Sequence, residues 1–119
     1  MTDLTLAYAT KTSSTGIPGR AIVSARNHHL VSDDSSDEEF RSGELFLGGI
    51  GACAVNMIGR IARTEDIPLA WIEVSADAYR DRDKPQGEIS LYDQVNVQFQ
   101  LWGLSEEQGK YLVDEWKRR

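Results

Sequence analysis

The sequence contains a single cysteine, Cys53, among its 119 residues. One thiol cannot form a disulfide within the chain, which favours a reducing compartment such as the cytoplasm. Basic residues are also few, because 13 lysines and arginines stand against 19 acidic residues, giving a net charge of −6. A phosphate backbone or an anionic bilayer repels such a surface, so we expect neither a nucleic-acid partner nor a membrane partner.

Long apolar runs and targeting segments are not apparent. No continuous apolar run approaches the roughly 20 residues of a transmembrane helix. The N-terminal stretch MTDLTLAYATK lacks the basic and apolar regions of a signal peptide. With 40% hydrophobic and 27% charged residues, the composition is that of an ordinary globular protein. We therefore expect one cytoplasmic domain over residues 1–119.

Motifs for metals and phosphates are also missing. His28 and His29 are adjacent on a predicted strand, so their side chains point to opposite faces, and no nearby cysteine completes a zinc site. The stretch DDSSDEE (33–39) lacks the glycine and the spacing of a calcium loop, and we expect an exposed acidic loop. There is no glycine-rich phosphate loop after a strand and no G-x-S-x-G motif. We expect no metal and no cofactor.

The pattern of apolar residues predicts an α+β fold with the order β-β-β-α-β-β-α. Alternation in LTLAYAT (4–10) predicts the first strand, and RAIVSAR and HHLVS predict the next two. WIEVSADAY and VNVQFQLW predict two more strands, joined by a hairpin loop at DRDKPQGE (81–88). Ser105 followed by Gln108 forms a capping-box pattern for the last helix. We expect antiparallel sheets packed on the central helix.

The central helix is predicted from Ser42 to about Arg63. Apolar residues cover nearly all its faces, which predicts a buried helix. It also contains several glycines, each costing about 1 kcal/mol relative to alanine, so we expect another backbone to approach closely there. These are Gly48, Gly49, Gly51 and Gly59. One small chain offers only one sheet face to cover this helix, and we therefore expect a homodimer that buries both central helices.

Cys53 allows two interpretations. A free cysteine is among the most buried residue types and often only packs. A nucleophilic cysteine needs a nearby cation, because the thiolate is the reactive form and an ordinary thiol has a pKa near 8.5. The candidate cations are Arg20 and Arg26, which flank the second strand, and Arg41 just before the helix.

Glu44 lies in the first turn of the predicted helix. There a carboxylate stabilises the helix through its dipole. Alternatively, Glu44 orients an arginine over the thiol. Nine residues make about 2.5 turns, so Glu44 and Cys53 lie on opposite faces of a straight helix. They share a site only if the helix bends or if an arginine reaches around it.

The stretch GELFLGGIGACAVNMIGRIA resembles the central helix of the OsmC/Ohr family, the osmotically inducible and organic-hydroperoxide-resistance proteins. That helix opens with an acidic -EL- and reaches its cysteine through small residues. The element order and the tail LSEEQGKYLVDEW are also similar. The resemblance implies an intertwined homodimer with thiol sites at the interface. It further implies that Cys53 attacks the O–O bond of a peroxide, with Arg20 as the best match for the activating arginine and Arg26 as the next.

Two departures from the family pattern shape these expectations. In the peroxidase subgroup a glutamate lies ten residues before the cysteine, where this sequence has Gly43; Glu44 resembles the acidic residue of broader OsmC-like relatives. The family's resolving cysteine follows the last helix, and it has no counterpart among these residues, so we expect an external thiol reductant. An apolar wall favours small apolar peroxides as substrates; it comprises Leu45, Phe46, Ile50 and Met57. The alternative is a non-catalytic, dimeric binding or stress protein whose Cys53 only packs.

Overall fold

The computed structural model describes residues 3–83 and 92–118. Its elements are β1 (Lys11–Ser14), β2 (Arg20–Ala25), β3 (His28–Asp33), α1 (Ser42–Thr64), β4 (Trp71–Tyr79), β5 (Gln94–Trp102) and α2 (Glu106–Arg118). The predicted α+β class and element order are therefore confirmed. The chain divides into two compact units, with the boundary between Leu45 and Phe46 inside α1.

The first unit contains a three-stranded antiparallel sheet in the order β1-β2-β3. Arg20 pairs with Asp33 at one end of the β2–β3 ladder, and Ala25 pairs with His28 at the other. Only two residues then remain for the turn, and Arg26 adopts a left-handed backbone there with φ of 56°. The strands predicted at RAIVSAR and HHLVS are thus confirmed, and they pair antiparallel as expected.

The strand predicted at LTLAYAT (4–10) is wrong. The first strand is β1, which begins at Lys11, and the described residues before it form no strand. Leu4, Leu6 and Tyr8 are 85%, 83% and 94% exposed. An alternating pattern shows which side chains a strand would bury. A strand also needs a neighbouring strand to satisfy its backbone hydrogen bonds, and β2 pairs with β1 rather than with residues 4–10.

The second unit packs α1 and α2 against a two-stranded antiparallel sheet. β4 and β5 pair along their full length, from Trp71 opposite Trp102 to Tyr79 opposite Gln94. Both predicted strands are therefore confirmed, while residues 84–88 of the predicted loop DRDKPQGE lie outside the described residues. The core consists of Ile58, Ile61, Ala62 and Leu112, with partly buried side chains such as Ile72, Phe99 and Leu101 packed against it.

The predicted central helix is confirmed, but its predicted burial is only partly correct. The buried residues of α1 are Ala54, Ile58, Ile61 and Ala62, all beyond its midpoint. Nearer its start, Phe46 is 49% exposed. A Cβ added at Gly48, Gly49 or Gly51 would meet no neighbouring atom of residues 3–83 and 92–118 within 4 Å. The close backbone contact expected at these glycines is thus not made within the described chain.

α1 also departs from the expectation that no segment could cross a bilayer. Among the described residues it is the one helix long and apolar enough to do so by length and composition. The discrepancy arises because residues 45–59 carry no charge and are apolar on average, although glycines and alanines interrupt the run of large apolar side chains. Core helices of globular proteins meet the same criterion, and Ile58, Ile61 and Ala62 place α1 in the core of the second unit.

Local interactions fix the position of α2. The predicted capping box is present: the Gln108 N–H donates to Ser105 Oγ and the Ser105 N–H donates to Gln108 Oε1, both at 3.1 Å. Tyr111 Oη donates to Glu65 Oε1 at 2.6 Å, which ties α2 to the segment just after α1. Gly103 has φ of 97° and lies against Pro68 and Ala70. Together these contacts fix the start and the middle of α2 within the second unit.

Candidate functional site

Cys53 is an exposed free thiol that lines a cleft in the second unit. The cleft has a volume of about 390 Å³, and its other lining residues are Met57, Trp116 and Lys117. Met57 lies one helical turn beyond Cys53, so α1 presents both on one face. α2 contributes the other two residues from its last turn. The site therefore combines a thiol, two apolar walls and a cation.

Packing and charge give this cleft a defined chemistry. The Trp116 ring packs edge-to-face on Phe99, with centroids 5.2 Å apart, which holds the indole in place. Among the described residues that line the cleft, Lys117 is the one that carries a charge. The local sequence does not indicate this position, because a lysine in the last turn of a helix is typical of a cation that stabilises the helix C-terminus.

Arg20, the first candidate for an activating arginine, is bound by two carboxylates of the first unit. Its Nε and Nη2 both lie 2.8 Å from Asp33 Oδ2, and its Nη2 donates to Glu38 Oε2 at 3.2 Å. These bonds raise the pKa of Arg20, chiefly through Asp33. The Arg20 side chain is 28% exposed. The guanidinium is thus held in one orientation.

Asp33 is the buried centre of this cluster. It is 1% exposed, and its Oδ1 accepts hydrogen bonds from the Ser35 hydroxyl at 2.6 Å and the Ser35 N–H at 2.8 Å. These two bonds, and then that from Arg20, hold the pKa of Asp33 far below its usual range, although burial opposes the shift. The expectation of an exposed acidic loop is therefore wrong at Asp33, because Arg20 and Ser35 supply the donors that its burial requires.

Arg26 and Arg41 occupy exposed positions of the first unit. Arg26 lies in the two-residue turn between β2 and β3. Arg41 Nη2 pairs with Asp37 Oδ1 at 2.7 Å, and the two side chains are 53% and 96% exposed. Exposed pairs of this kind contribute little to stability.

Glu44 helps to cap the start of α1. Its Oε1 accepts a hydrogen bond from the Arg41 N–H at 2.8 Å, the return half of a capping box. Asp34 accepts from the Ser42 N–H at 2.7 Å and from the Ser42 hydroxyl at 2.8 Å. These bonds lower the pKa of Asp34. The carboxylate of Glu44 thus satisfies a backbone donor, and its orientation of an arginine stays a prediction.

The predicted site residues fall in different units. Arg20, Arg26 and Glu44 belong to the first unit, and Cys53 belongs to the second. Within the first unit, Glu44 bonds to Arg41 and Arg20 bonds to Asp33 and Glu38. The assignment of Arg20 or Arg26 to Cys53 therefore remains a prediction.

The chain is similar to known proteins in its structure. No protein-family model and no curated protein sequence matches the chain. Among solved structures, an OsmC-like protein from Mycoplasma pneumoniae has a TM-score of 0.86 with 14% identity, covering 98% of this chain and 84% of that one. An OsmC-like protein of unknown function from Vibrio cholerae has a TM-score of 0.75 with 10% identity, covering 96% and 89% of the two chains.

A third similar structure is an organic hydroperoxide resistance protein OsmC from Legionella pneumophila, described as a predicted redox protein. Its TM-score is 0.66 with 16% identity, and the match covers 96% of this chain and 85% of that one. Two antiparallel sheets with a long cysteine-bearing helix between them in sequence define the α+β class. Within that class the chain has the OsmC-like fold. Because one fold hosts several functions, the reaction must be argued from the site.

Proposed function

We propose that this protein is a thiol-dependent reductase of organic hydroperoxides, acting in oxidative-stress defence with Cys53 as the nucleophile. The observation that carries the proposal is the exposed thiol in a cleft with Met57, Trp116 and Lys117. A cysteine that served only packing within this chain would be buried. The apolar walls favour a hydroperoxide with an apolar body over hydrogen peroxide, because they gain contact area with the organic group.

The proposed reaction is a two-electron oxidation of sulfur. The Cys53 thiolate attacks the terminal oxygen of ROOH; an S–O bond forms, the O–O bond breaks, and RO⁻ takes a proton to leave as the alcohol. Cys53 is then a sulfenic acid. A second thiol attacks its sulfur and releases water, forming a disulfide that a further thiol reduces. Because Cys53 is the only cysteine of the sequence, that second thiol comes from outside these 119 residues.

Arg20 is the cation that we propose for the thiolate, with Arg26 as the next candidate and Glu44 as the residue that orients the arginine. The bonds from Arg20 to Asp33 and Glu38 use Nε and Nη2, which leaves Nη1 for another acceptor. Lys117 adds a second positive charge from within the cleft. The family resemblance supports the arginine, and the cleft supports the lysine.

We also propose a cytoplasmic homodimer in which each chain is one domain. Exposed apolar side chains in both units support association. In the first unit these are Leu4, Leu6, Tyr8, Ile17, Ile22, Leu30 and Phe40, and in the second they include Phe46 and Trp102. The bare helix surface at Gly48 and Gly49 provides a place where a second backbone can approach.

The test uses the purified protein with cumene hydroperoxide and, separately, with hydrogen peroxide. Thiol loss is titrated over time, and the sulfenic acid is trapped with dimedone. We expect Cys53 to react faster with cumene hydroperoxide than with hydrogen peroxide, and faster than a small-molecule thiol measured in parallel. Cys53→Ser is the control and should form no adduct. If Cys53 reacts with both oxidants only as fast as the small thiol, the protein is the non-catalytic OsmC-like alternative.

A further inference from the structure

A second cleft lies in the second unit and shares no residue with the cleft at Cys53. Its volume is about 480 Å³, within the range of small-molecule sites. One wall is the C-terminal half of α1, and the other is the connection into β4 with the start of that strand. Most of its lining is apolar, including Val55, Ile67, Leu69, Ala70 and Ile72.

Arg63 gives this apolar cleft a positive charge. A Cβ added at Gly59 would lie 3.4 Å from Arg63 Nη1, so the guanidinium lies against the bare helix surface at that glycine. Arg63 forms no ion pair within residues 3–83 and 92–118. In a protein of net charge −6, a guanidinium without a carboxylate partner at a cleft is a recognition point for an anion. Asn56, on the same wall, adds an amide donor.

The opposite wall offers an aromatic surface. Trp71 is 63% exposed, and its Nε1 donates to Glu73 Oε1 at 3.3 Å. This bond occupies the polar edge of the indole and leaves its face for apolar contact. The Glu73 carboxylate also disfavours an anion beside Trp71. The cleft therefore has a cationic wall on α1 and an apolar, aromatic wall on β4.

We propose that this cleft binds an amphipathic monocarboxylate. The carboxylate accepts hydrogen bonds from Arg63 and Asn56, and the apolar body covers Leu69, Ile72 and Trp71. The proposal is independent of the thiol chemistry, since it involves no bond to Cys53 and no residue of its cleft. It adds a ligand-binding site to the proposed hydroperoxide reductase.

The probes are three ten-carbon compounds that differ in the head group and its charge: decanoate (negative), decanol (neutral) and decylamine (positive). Their binding is followed by tryptophan fluorescence and by calorimetry. We expect saturable binding at one site per chain, with decanoate the tightest. Arg63→Gln should weaken decanoate roughly fivefold, because Arg63 is exposed and its ion pair is partly screened. The same change should leave decanol unaffected.

Arg60→Gln is the matched control, because Arg60 is an exposed arginine of α1 that does not line the cleft. Cys53→Ser should bind decanoate normally, whatever the outcome of the peroxide experiment. The proposal is overturned if decanoate binding does not saturate, if decanol binds equally well, or if the two arginine variants lose affinity equally. Binding that weakens as the protein concentration rises would also overturn it, because a second copy of the chain would then occupy the cleft.

Discussion

Arg20 and Asp33 face each other across the β2–β3 ladder, and Asp33 Oδ2 lies 2.8 Å from two nitrogens of the guanidinium. Asp33 is almost fully buried, whereas Arg20 is partly exposed. A buried carboxylate holds its charged partner firmly, since movement of Arg20 would remove the guanidinium from Oδ2 and leave only the Ser35 bonds to Oδ1. Asp33 therefore positions the arginine that we propose for the thiolate.

This cluster predicts a specific dependence of stability on pH. The pKa of Asp33 is lowered in the folded state, and an unfolded aspartate titrates at about 3.9. Between these two pKa values the unfolded chain binds more protons, so the stability due to Asp33 is complete above about pH 5 and is lost as the pH falls through the folded value. Asp33→Asn should therefore be less stable than wild type near neutral pH, with a difference that shrinks in acid.

Urea unfolding at a series of pH values measures this difference. Asp37→Asn is the control, because Asp37 is 96% exposed and pairs only with the exposed Arg41. It should follow the wild-type curve closely. A difference between Asp33→Asn and wild type that stays constant in acid would contradict the role assigned to the Asp33 charge.

Gly103→Ala should destabilise the fold by roughly 3 kcal/mol. The added Cβ would lie 2.8 Å from the Pro68 carbonyl oxygen and from Ala70 Cβ, at a positive φ that side chains disfavour. Gly109→Ala is the matched control, because nothing lies within 4 Å of its Cβ position in α2, and it should gain about 1 kcal/mol. Thermal and urea unfolding of both variants test this, and equal effects would refute it.

Gly49→Ala should raise the dissociation constant of the proposed homodimer by about tenfold if a second backbone packs against Gly49. The added methyl group would overfill such a close contact. Within the described chain there is open space at Gly49, so the folding of one chain should not suffer. Sedimentation equilibrium measures the dissociation constant, with Gly109→Ala as the control. An unchanged dissociation constant would show that Gly49 does not lie at the dimer interface.

Lys117→Met should lower the rate at which negatively charged iodoacetate alkylates Cys53, relative to the rate of neutral iodoacetamide. Lys117 lines the thiol cleft, so it attracts iodoacetate but not the neutral iodoacetamide. The ratio of the two rates should fall by about threefold, as expected for one partly screened charge. Lys110→Met is the control, because Lys110 lies on α2 outside this cleft. If both variants keep the wild-type ratio, Lys117 does not act on the thiol.

Local patterns predicted most of the fold. Alternation marked β4 and β5, the change of period marked α1, and the capping box at Ser105 marked the start of α2. The same reasoning failed at LTLAYAT, because whether a segment pairs depends on a neighbouring strand that its own residues do not encode. It also failed at Asp33, since this buried acid in a string of acids depends on the way the fold brings Ser35 and Arg20, thirteen residues earlier, to its two oxygens.

The candidate site was less predictable than the fold. Cys53 was conspicuous as the only thiol in an apolar helix. Trp116 and Lys117 were not, because they reach the cleft through the packing of α2 on α1, a contact between residues more than fifty positions apart. The presence of the Lys117 charge in the Cys53 cleft therefore depends on the tertiary packing of the two helices and cannot be predicted from either helix alone.

Trp116 lines the same cleft as Cys53, so its fluorescence can report on the oxidation state of the thiol. A tryptophan held by Phe99 has a fixed surrounding, so its emission should respond when the neighbouring sulfur gains an oxygen or a disulfide. Trp71 and Trp102 are exposed on β4 and β5 and supply the background signal. A variant that keeps Trp116 alone would show each change at the thiol in real time, without any added dye.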